Sequence, residues 1–272
     1  RCPVRARLTP SLPAKTGALW YHVPVPTLQG FETLFTFQIT DQSKTCSEHL
    51  EPFLSSKTHT SCSVRGGDGL AFVIHRNDDD IETVGSRGGG LGYGGVNNSL
   101  AVEFDTWYNP DPQVRSGDLL YDHVSIHSCG RQENFETRAC QLGVARPHKL
   151  AEGNHHLVKI SRYYPHLETK YVDLFTSSDE LLPFLMDNGE SRRVGTLVVW
   201  MDEGVADDEP LLAIPLNLSV LLDLPQDAAF VGFTAGTGRA WAKHDVLSWY
   251  WCHEGSTECG DTDSLARTIF DY

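Results

Sequence analysis

Side chains that bind metal ions are concentrated in one short stretch of the sequence. Glu103 and Asp105 stand two residues apart, so both point to the same face if this segment is a β-strand. Asn109 and Asp118 follow in the polar segment after it, and His123 opens the next apolar run. Carboxylate and amide oxygens are the ligands that calcium prefers, and a set that adds one imidazole suits a transition metal. The stretch therefore predicts a metal site at the end of a strand.

Two neighbouring ions are predicted from this set. The expected calcium ligands are side-chain oxygens and one main-chain carbonyl, from Asp105, Trp107 (main chain), Asn109 and Asp118. The expected ligands of the second metal, Mn²⁺ or another divalent transition metal, are Glu103, Asp105, Asp118 and His123. Acidic residues in a polar loop can also be merely solvated, and residue types alone do not separate that interpretation from a metal site.

Strands, rather than long amphipathic helices, are predicted to position these residues. In residues 31–39 the side chains at alternate positions would lie on one face, as in a half-buried strand. These residues are Phe31, Thr33, Phe35, Phe37 and Ile39. Further strands are predicted at residues 69–75, 100–107, 123–127, 156–161, 170–175, 196–201, 229–234 and 246–251, and a short helical turn at 181–186. Many short strands joined by polar, glycine-containing loops are typical of an all-β antiparallel β-sandwich or jelly roll.

Length and charge limit the kinds of protein this can be. The chain has 272 residues, 40% of them hydrophobic, which is enough for one large β-sandwich core. We expect a single domain over residues 1–252, with insertions near 45–64 and 164–193, and a C-terminal tail at 253–272. A formal net charge of −14 speaks against nucleic acid as a partner. No apolar run approaches the roughly 18 residues that membrane insertion needs.

Seven cysteines indicate an oxidising compartment. Most of them fall into close pairs separated by short polar stretches, so the predicted disulfides are Cys46–Cys62, Cys129–Cys140 and Cys252–Cys259. Cys2 is left over, and it could pair with a segment outside this sequence or with another chain. Reduced, buried cysteines in a cytosolic protein are the alternative. Two glycosylation sequons, at Asn97 and Asn217, agree with a secreted or lumenal glycoprotein.

The metal-binding stretch resembles that of the L-type, or legume-like, lectins. In that family a strand ending in Glu-x-Asp-Thr-aromatic-x-Asn leads to an Asp five residues before a His, and residues 103–109 with Asp118 and His123 match this pattern. The other matching segments are residues 29–39, 67–72 (Gly-Asp-Gly-Leu-Ala-Phe), 88–92 (Gly-Gly-Gly-Leu-Gly), 216–219, 231–238 and 244–249. Together they cover roughly residues 18–251, and the resemblance implies the concanavalin A-like jelly roll.

The resemblance also implies a monosaccharide site. Its central group is Asp68, a carboxylate that accepts hydrogen bonds from two adjacent sugar hydroxyls. Asn109 would bind calcium and the sugar at once, and the ring of Trp107 would pack on the apolar face of the sugar. In the family a cis peptide bond precedes the Asp, so the bond between Gly67 and Asp68 is predicted to be cis. The expected main-chain donors are Gly90, or alternatively Gly89, and Gly238 in the loop at residues 236–244.

Several positions depart from the family pattern. Eight residues separate Asn109 from Asp118, more than in compact members of the family, so Asp111 could replace Asp118 as a calcium ligand. Ser125 stands where the family has a glycine, and His127 stands where it has an acidic or amide residue. Both departures lie on the strand that begins at the predicted histidine ligand.

The expected function is metal-dependent, non-catalytic carbohydrate binding in a secreted or secretory-pathway lumenal protein, with glycans or glycoproteins as partners. Catalysis is a poor alternative because resembling enzymes use Glu-x-Asp-x-x-Glu, and the third position here is Tyr108. The other alternative is an adhesive or structural module of a larger extracellular protein that no longer binds sugar. Homo-oligomerisation, or attachment to further domains, is compatible with both functions.

Overall fold

The described part of the chain, in a computed structural model, consists mostly of β-strands. Residues 5–50, 58–76, 80–109, 119–175, 179–187, 193–224, 227–254 and 256 are described. The strands are β1 (Ala6–Thr9), β2 (Thr16–Trp20), β3 (Phe31–Thr40), β4 (Lys44–Leu50), β5 (Thr58–Val64), β6 (Gly69–His75), β7 (Ser99–Asp105), β8 (His123–His127), β9 (Gln141–Ala145), β10 (His155–Tyr164), β11 (Gly195–Met201), β12 (Leu212–Leu216), β13 (Phe230–Gly236) and β14 (Lys243–His253).

Helical structure within these residues is limited to short segments. The α-helices are α1 (Glu203–Asp207) and α2 (Leu218–Leu222). The 3₁₀ helices are Asp80–Glu82, Gly88–Gly90, Arg138–Cys140, Thr169–Leu174 and Leu182–Phe184. Among the described residues, no helix has the length and apolar character that crossing a membrane requires.

Most strands belong to two six-stranded antiparallel sheets. The first sheet has the order β1-β14-β3-β10-β11-β12, and the second has the order β2-β13-β6-β7-β8-β9. The last two strands of the described part enter the sheets beside early ones, since β14 lies between β1 and β3 and β13 lies between β2 and β6. β4 and β5 form a separate two-stranded hairpin. The predicted all-β antiparallel β-sandwich is confirmed.

The core between the two sheets is rich in phenylalanine. Phe35 and Phe37 on β3 contact Phe104 on β7, with ring centroids 5.9 and 5.0 Å apart. Phe72 and Phe233 of the second sheet also contact Phe35, at 5.9 and 4.8 Å. All five rings are buried, and each contributes about 1.5–3 kcal/mol by leaving water. The alternating positions predicted for β3 are therefore the ones that hold the two sheets together.

One predicted strand, at residues 170–175, is wrong. The segment forms the 3₁₀ helix Thr169–Leu174, whose first turn is capped by the side chain of Glu168. Tyr171 is buried and packs edge-on against Trp200 of β11, with ring centroids 5.7 Å apart. These residues belong to a second apolar cluster, separate from the phenylalanine core, on the first sheet. A contact made across the fold thus replaces the strand partner that the local pattern predicts.

The other strand predictions are confirmed, β6 and β8 with the predicted ends and the rest with shifted ends. β7 ends at Asp105 rather than at residue 107, because the Trp107 main-chain N–H donates to the Asp105 carboxylate at 2.6 Å. The predicted helical turn is confirmed as the 3₁₀ helix Leu182–Phe184. The strands that were not predicted are the four sheet edges β1, β2, β9 and β12 and the hairpin β4–β5. An edge strand has a single neighbour, so its side chains alternate less regularly between core and solvent.

Two predicted disulfides are present. Cys46 pairs with Cys62 across the β4–β5 hairpin, and Cys129 pairs with Cys140 at the start of β9. Cys252 is also disulfide-bonded. Its predicted partner, Cys259, and the remaining Cys2 lie outside the described residues, so that pairing stays a prediction.

The Cys46–Cys62 disulfide is expected to hold the hairpin rather than the whole domain. Within the described residues β4 and β5 pair only with each other, and an isolated two-stranded hairpin is marginally stable in water. Replacing both cysteines with serine should make residues 44–65 about tenfold more sensitive to trypsin, because local opening is then easier. The melting temperature should change by less than about 3 °C. Mass spectrometry of the fragments and calorimetry check this, and a large fall in melting temperature without new cleavage would contradict it.

Candidate metal and ligand site

The predicted transition-metal ligands meet on β7 and its neighbour β8. Glu103 and Asp105 share one face of β7, and Asp105 lies directly opposite His123 in the antiparallel ladder. Ligand atoms of all three side chains lie within 4.8 Å of one another, and all three residues are buried. The structure therefore brings together the two carboxylates and the imidazole that the sequence predicts as a cluster.

Glu103 is held by hydrogen-bond donors on both carboxylate oxygens. Tyr93 donates to Oε2 at 2.7 Å, and Ser125 donates to Oε1 at 2.5 Å. His127 Nε2 lies 2.9 Å from Oε1, and His123 Nε2 lies 3.8 Å from it. Burial by itself would raise the pKa of Glu103, but attraction to His127, which lies at hydrogen-bond distance, and to the nearby His123 holds that pKa below its ordinary value. Glu103 is therefore an ionised carboxylate at neutral pH.

This donor set fits a divalent transition metal. Two carboxylates and one imidazole are the mixed ligands that such ions accept, whereas calcium prefers oxygen alone. The two oxygens of Glu103 offer about four lone-pair positions, more than its close protein donors occupy. For calcium, Trp107 and Asn109 follow β7 among the described residues. Asp118 and the alternative Asp111 lie outside the described residues, so the choice between them stays a prediction.

Asp68 is held firmly between β13 and the end of β7. Its peptide bond with Gly67 is cis, as predicted. The Asp68 main-chain N–H donates to the carbonyl of Gly236 at 3.0 Å. The Asp68 carbonyl accepts from both the main-chain N–H and the hydroxyl of Thr106, each at 2.9 Å. Because Thr106 directly follows Asp105, the backbone of Asp68 is connected to the metal-ligand cluster by a single residue.

Two of the other predicted sugar-binding residues lie close to Asp68. A Cβ atom built on Gly238 would lie 2.9 Å from Asp68 Oδ2, so a side chain at this position would displace the carboxylate. The same construction on Gly67 meets Trp107 at 3.4 Å, and on Gly89 it meets Asn109 Nδ2 at 2.7 Å. The structure thus places Gly238 beside Asp68, Trp107 beside the preceding Gly67, and Asn109 beside Gly89.

Gly89 and Gly90 face different neighbours. Gly89 lies against the amide of Asn109, whereas the Cβ position of Gly90 is directed at the hydroxyl of Ser86. Gly90 is buried, and its carbonyl accepts from the main-chain N–H groups of residues 93 and 94. Of the two alternative donors, Gly89 is therefore the one beside the predicted ligand-binding amide.

Sequence reasoning assigned no role at this site to four residues that contribute to it. Thr106 anchors Asp68, and Tyr93 donates to Glu103 from a loop that no local pattern connects to β7. Ser125 and His127 stand out in the sequence as departures from a family pattern, and the structure places both against Glu103. Their alternation on β8, which points them to the face shared with Glu103, was the signal that could have identified this contact.

The whole chain can be placed among known proteins. A family model described as the legume lectin domain matches residues 7–266. The chain belongs to the legume lectin family. This legume lectin domain is 28% identical over 207 residues to an L-type lectin-domain containing receptor kinase of Arabidopsis thaliana, with 72% of this chain and 29% of the kinase covered. It thus spans less than a third of that relative's length.

Two solved lectin structures share the fold of this legume lectin domain. The lectin from Bauhinia forficata in complex with GalNAc has a TM-score of 0.56 at 19% identity, covering 91% of this chain and 86% of that lectin. The exoplasmic/lumenal domain of VIP36 in its Ca²⁺/Man3GlcNAc-bound form has a TM-score of 0.54 at 17% identity, covering 95% and 82%. The comparison agrees with the concanavalin A-like jelly roll predicted from the sequence.

Proposed function

We propose that this chain binds carbohydrate through a metal-ordered site without catalysing a reaction. The observation that carries the proposal is the connection between Asp68 and the metal-ligand cluster through Thr106. Metals bound by Asp105 would fix the start of the following loop, and that loop fixes the Asp68 backbone. The metals would thus act as a scaffold for the sugar-binding carboxylate, with no chemistry on the sugar.

Each group has a distinct task in this proposal. Asp68 accepts hydrogen bonds from two sugar hydroxyls, and the amide of Asn109 donates to the same hydroxyls. Trp107 offers its ring to the apolar face of the sugar. The proposed main-chain donors are Gly238 and Gly90, with Gly89 as the alternative that lies beside Asn109. The proposed metal ligands are Glu103, Asp105, the Trp107 carbonyl, Asn109, Asp118 and His123, for calcium and for Mn²⁺ or another transition metal.

A location outside the cytosol is part of the proposal. Its support is the pair of disulfides Cys46–Cys62 and Cys129–Cys140, which suit an oxidising compartment. Of the two sequons, Asn97 is exposed and could carry a glycan. Asn217 is buried, and its amide donates to the Met186 carbonyl at 2.6 Å, so it is a helix-capping residue rather than a glycosylation site.

A glycan array tests the proposal most directly. The purified chain in calcium and manganese should bind a defined set of glycans, and EDTA should abolish the signal because the loop that carries Asp68 loses its metal support. Binding to a single sugar should be weak, with a Kd of about 1 mM, so the chain should be presented in several copies. Such weak affinity also favours a homo-oligomer or attachment to further domains. A blank array, with metal shown to be bound by elemental analysis, would instead favour the adhesive or structural module.

A further inference from the structure

A carboxylate that the sequence analysis did not select lies beside the proposed sugar site. Glu136 belongs to the segment between β8 and β9. A Cβ atom built on Gly89 would lie 2.7 Å from Asn109 Nδ2 and 3.1 Å from Glu136 Oε1. Both side chains are half-buried, so a ligand can reach them. The carboxylate of Glu136 and the amide of Asn109 are therefore neighbours on the same glycine.

Glycine backbone also connects Glu136 with Asp68. A Cβ atom built on Gly238 meets the carboxylate of Asp68 at 2.9 Å. One built on Gly88 has the Cα atom of Gly238 as its neighbour, at 3.9 Å. Gly88 is followed directly by Gly89, which carries the contact to Glu136. The two carboxylates thus lie along one wall of the site, and the residues between them are glycines that leave room for a ligand.

The backbone on both sides of Glu136 is held in place. The disulfide Cys129–Cys140 closes the segment that carries it. Asn134 is buried, and its amide donates to the carbonyl of His127 at 3.0 Å. The carbonyl of Phe135 lies 3.1 Å from the Nδ1 atom of His127. Glu136 is therefore positioned before a ligand arrives, which reduces the entropy that binding has to remove.

Glu136 also lies near the metal-ligand cluster. Burial raises the pKa of the Tyr93 hydroxyl, and the negative charges of Glu103 and Glu136 raise it further. Together with Asp68, Glu136 adds negative charge to the side of the site that a ligand would enter. Such a charge favours a neutral or cationic ligand over an acidic one.

A second carboxylate enlarges the set of hydroxyls that the site can recognise. A carboxylate has about four acceptor positions, so Glu136 can accept from a ligand in addition to any contact within the protein. The amide of Asn109 beside it offers donors. A sugar hydroxyl donates and accepts at the same time, so this neighbouring pair matches a single hydroxyl or two adjacent ones.

We infer that Glu136 is a further ligand-binding residue of this site, where it accepts a hydrogen bond from a sugar hydroxyl or amine that Asp68 does not bind. The inference rests on the proposed carbohydrate-binding function. Glu136 then determines specificity, because it selects a sugar with a donor at that position. It also excludes a sugar that carries a carboxylate or sulfate group there.

Competition by deoxy sugars tests the inference. The probes are methyl α-mannoside and methyl β-galactoside, each with its complete set of monodeoxy analogues, used in calcium and manganese to inhibit binding to a glycan identified on the array. Several analogues should inhibit the wild type about tenfold less well than the parent sugar, since each lacks one hydrogen bond to a charged acceptor. In Glu136→Ala the penalty of one of these analogues should fall to less than about twofold, while the other penalties stay unchanged.

Two further variants complete the test. Glu136→Gln keeps the shape and one acceptor oxygen, so the same analogue should have a penalty of about threefold. Glu133→Ala, at an exposed position on the same segment, is the matched control and should keep every wild-type penalty. Elemental analysis and melting temperature should show unchanged metal content and stability in all three variants. On the array, glycans that end in an acidic sugar should be absent from the wild-type hits.

Other results would overturn the inference in distinguishable ways. Unchanged penalties in Glu136→Ala would show that Glu136 does not contact the sugar, and they would leave the site at Asp68 intact. Equal weakening of the parent sugar and all analogues, or loss of bound metal, would show that Glu136 acts on the shape of the site. A preference for acidic glycans would contradict the expected exclusion. A blank array for the wild type would exclude the proposed function itself, and the role of Glu136 with it.

Discussion

Replacing Asp68 with asparagine is expected to abolish glycan binding and to leave the fold unchanged. The carboxylate would accept two charge-assisted hydrogen bonds, each contributing about 1.5–3 kcal/mol. An amide offers one acceptor and turns a donor towards the sugar hydroxyls, so affinity should fall by at least about 100-fold. The contacts that hold this residue are main-chain bonds to Gly236 and Thr106, and the substitution leaves them in place.

Titration calorimetry and thermal melting measure the two halves of this prediction. Asp173→Asn, at an exposed position in the 3₁₀ helix Thr169–Leu174, removes the same charge far from the site and is the matched control. The control should bind glycans as the wild type does. Wild-type affinity in Asp68→Asn would show that the sugar is bound elsewhere, and a large loss of thermal stability would show that Asp68 is chiefly structural.

Lowering the pH from 7 to 5 is expected to destabilise the domain by several kcal/mol. Burial lowers the pKa of His75 to about 4 and that of His244 to about 3. The folded chain therefore keeps both imidazoles neutral at pH 5, whereas the unfolded chain protonates them below about pH 6.5. The unfolded state binds more protons, so the free energy of unfolding falls as the pH is lowered from about 6.5 to about 4. At pH 5 each histidine lowers the free energy of unfolding by about 2 kcal/mol. This pH lies about 1.5 units below the ordinary histidine pKa, and each unit corresponds to about 1.36 kcal/mol.

Comparing the pH dependence of stability in the wild type and in a variant without His75 isolates the contribution of that histidine. Urea unfolding gives the free energy of unfolding at pH 7 and pH 5 for the wild type and for His75→Leu. The variant should lose about 2 kcal/mol less than the wild type, because the side chain at position 75 no longer titrates. Any protonation of metal ligands is common to both proteins and cancels in the difference. His148→Leu, at an exposed position, is the control, and an identical pH dependence in His75→Leu and the wild type would refute the assignment.

Short-range patterns in the sequence were enough to predict the central strands and part of the metal-ligand cluster. The phenylalanines of β3 lie at alternate positions because side chains alternate between the two faces of a strand and one face of β3 packs against the second sheet, so the pattern can be read without knowing which strands cover it. Glu103 and Asp105 share a face for the same reason. The cysteines of each observed disulfide are close in sequence, so their pairing needed no tertiary information.

The resemblance to a family added what periodicity could not supply. The cis bond before Asp68, the approach of Gly238 to Asp68 and that of Asn109 to Gly89 depend on loops that are far apart along the chain. No alternation or capping signal connects such loops. Their prediction came from the order of several short motifs, each of which is weak when taken alone.

Contacts between distant segments decided the rest. Residues 170–175 have strand-like composition, yet within this segment only Phe175 makes a β-bridge, to Ala213 of β12, whereas Tyr171 lies in a 3₁₀ helix and packs on Trp200. The edge strands β1, β2, β9 and β12 likewise exist because of the strands beside them. The hydrogen-bond partners of Glu103 likewise come from other segments, and Gln42 bonds to both Gly66 and Ala151. A sequence pattern indicates which face of a strand or helix is apolar. It does not indicate which distant element packs against that face.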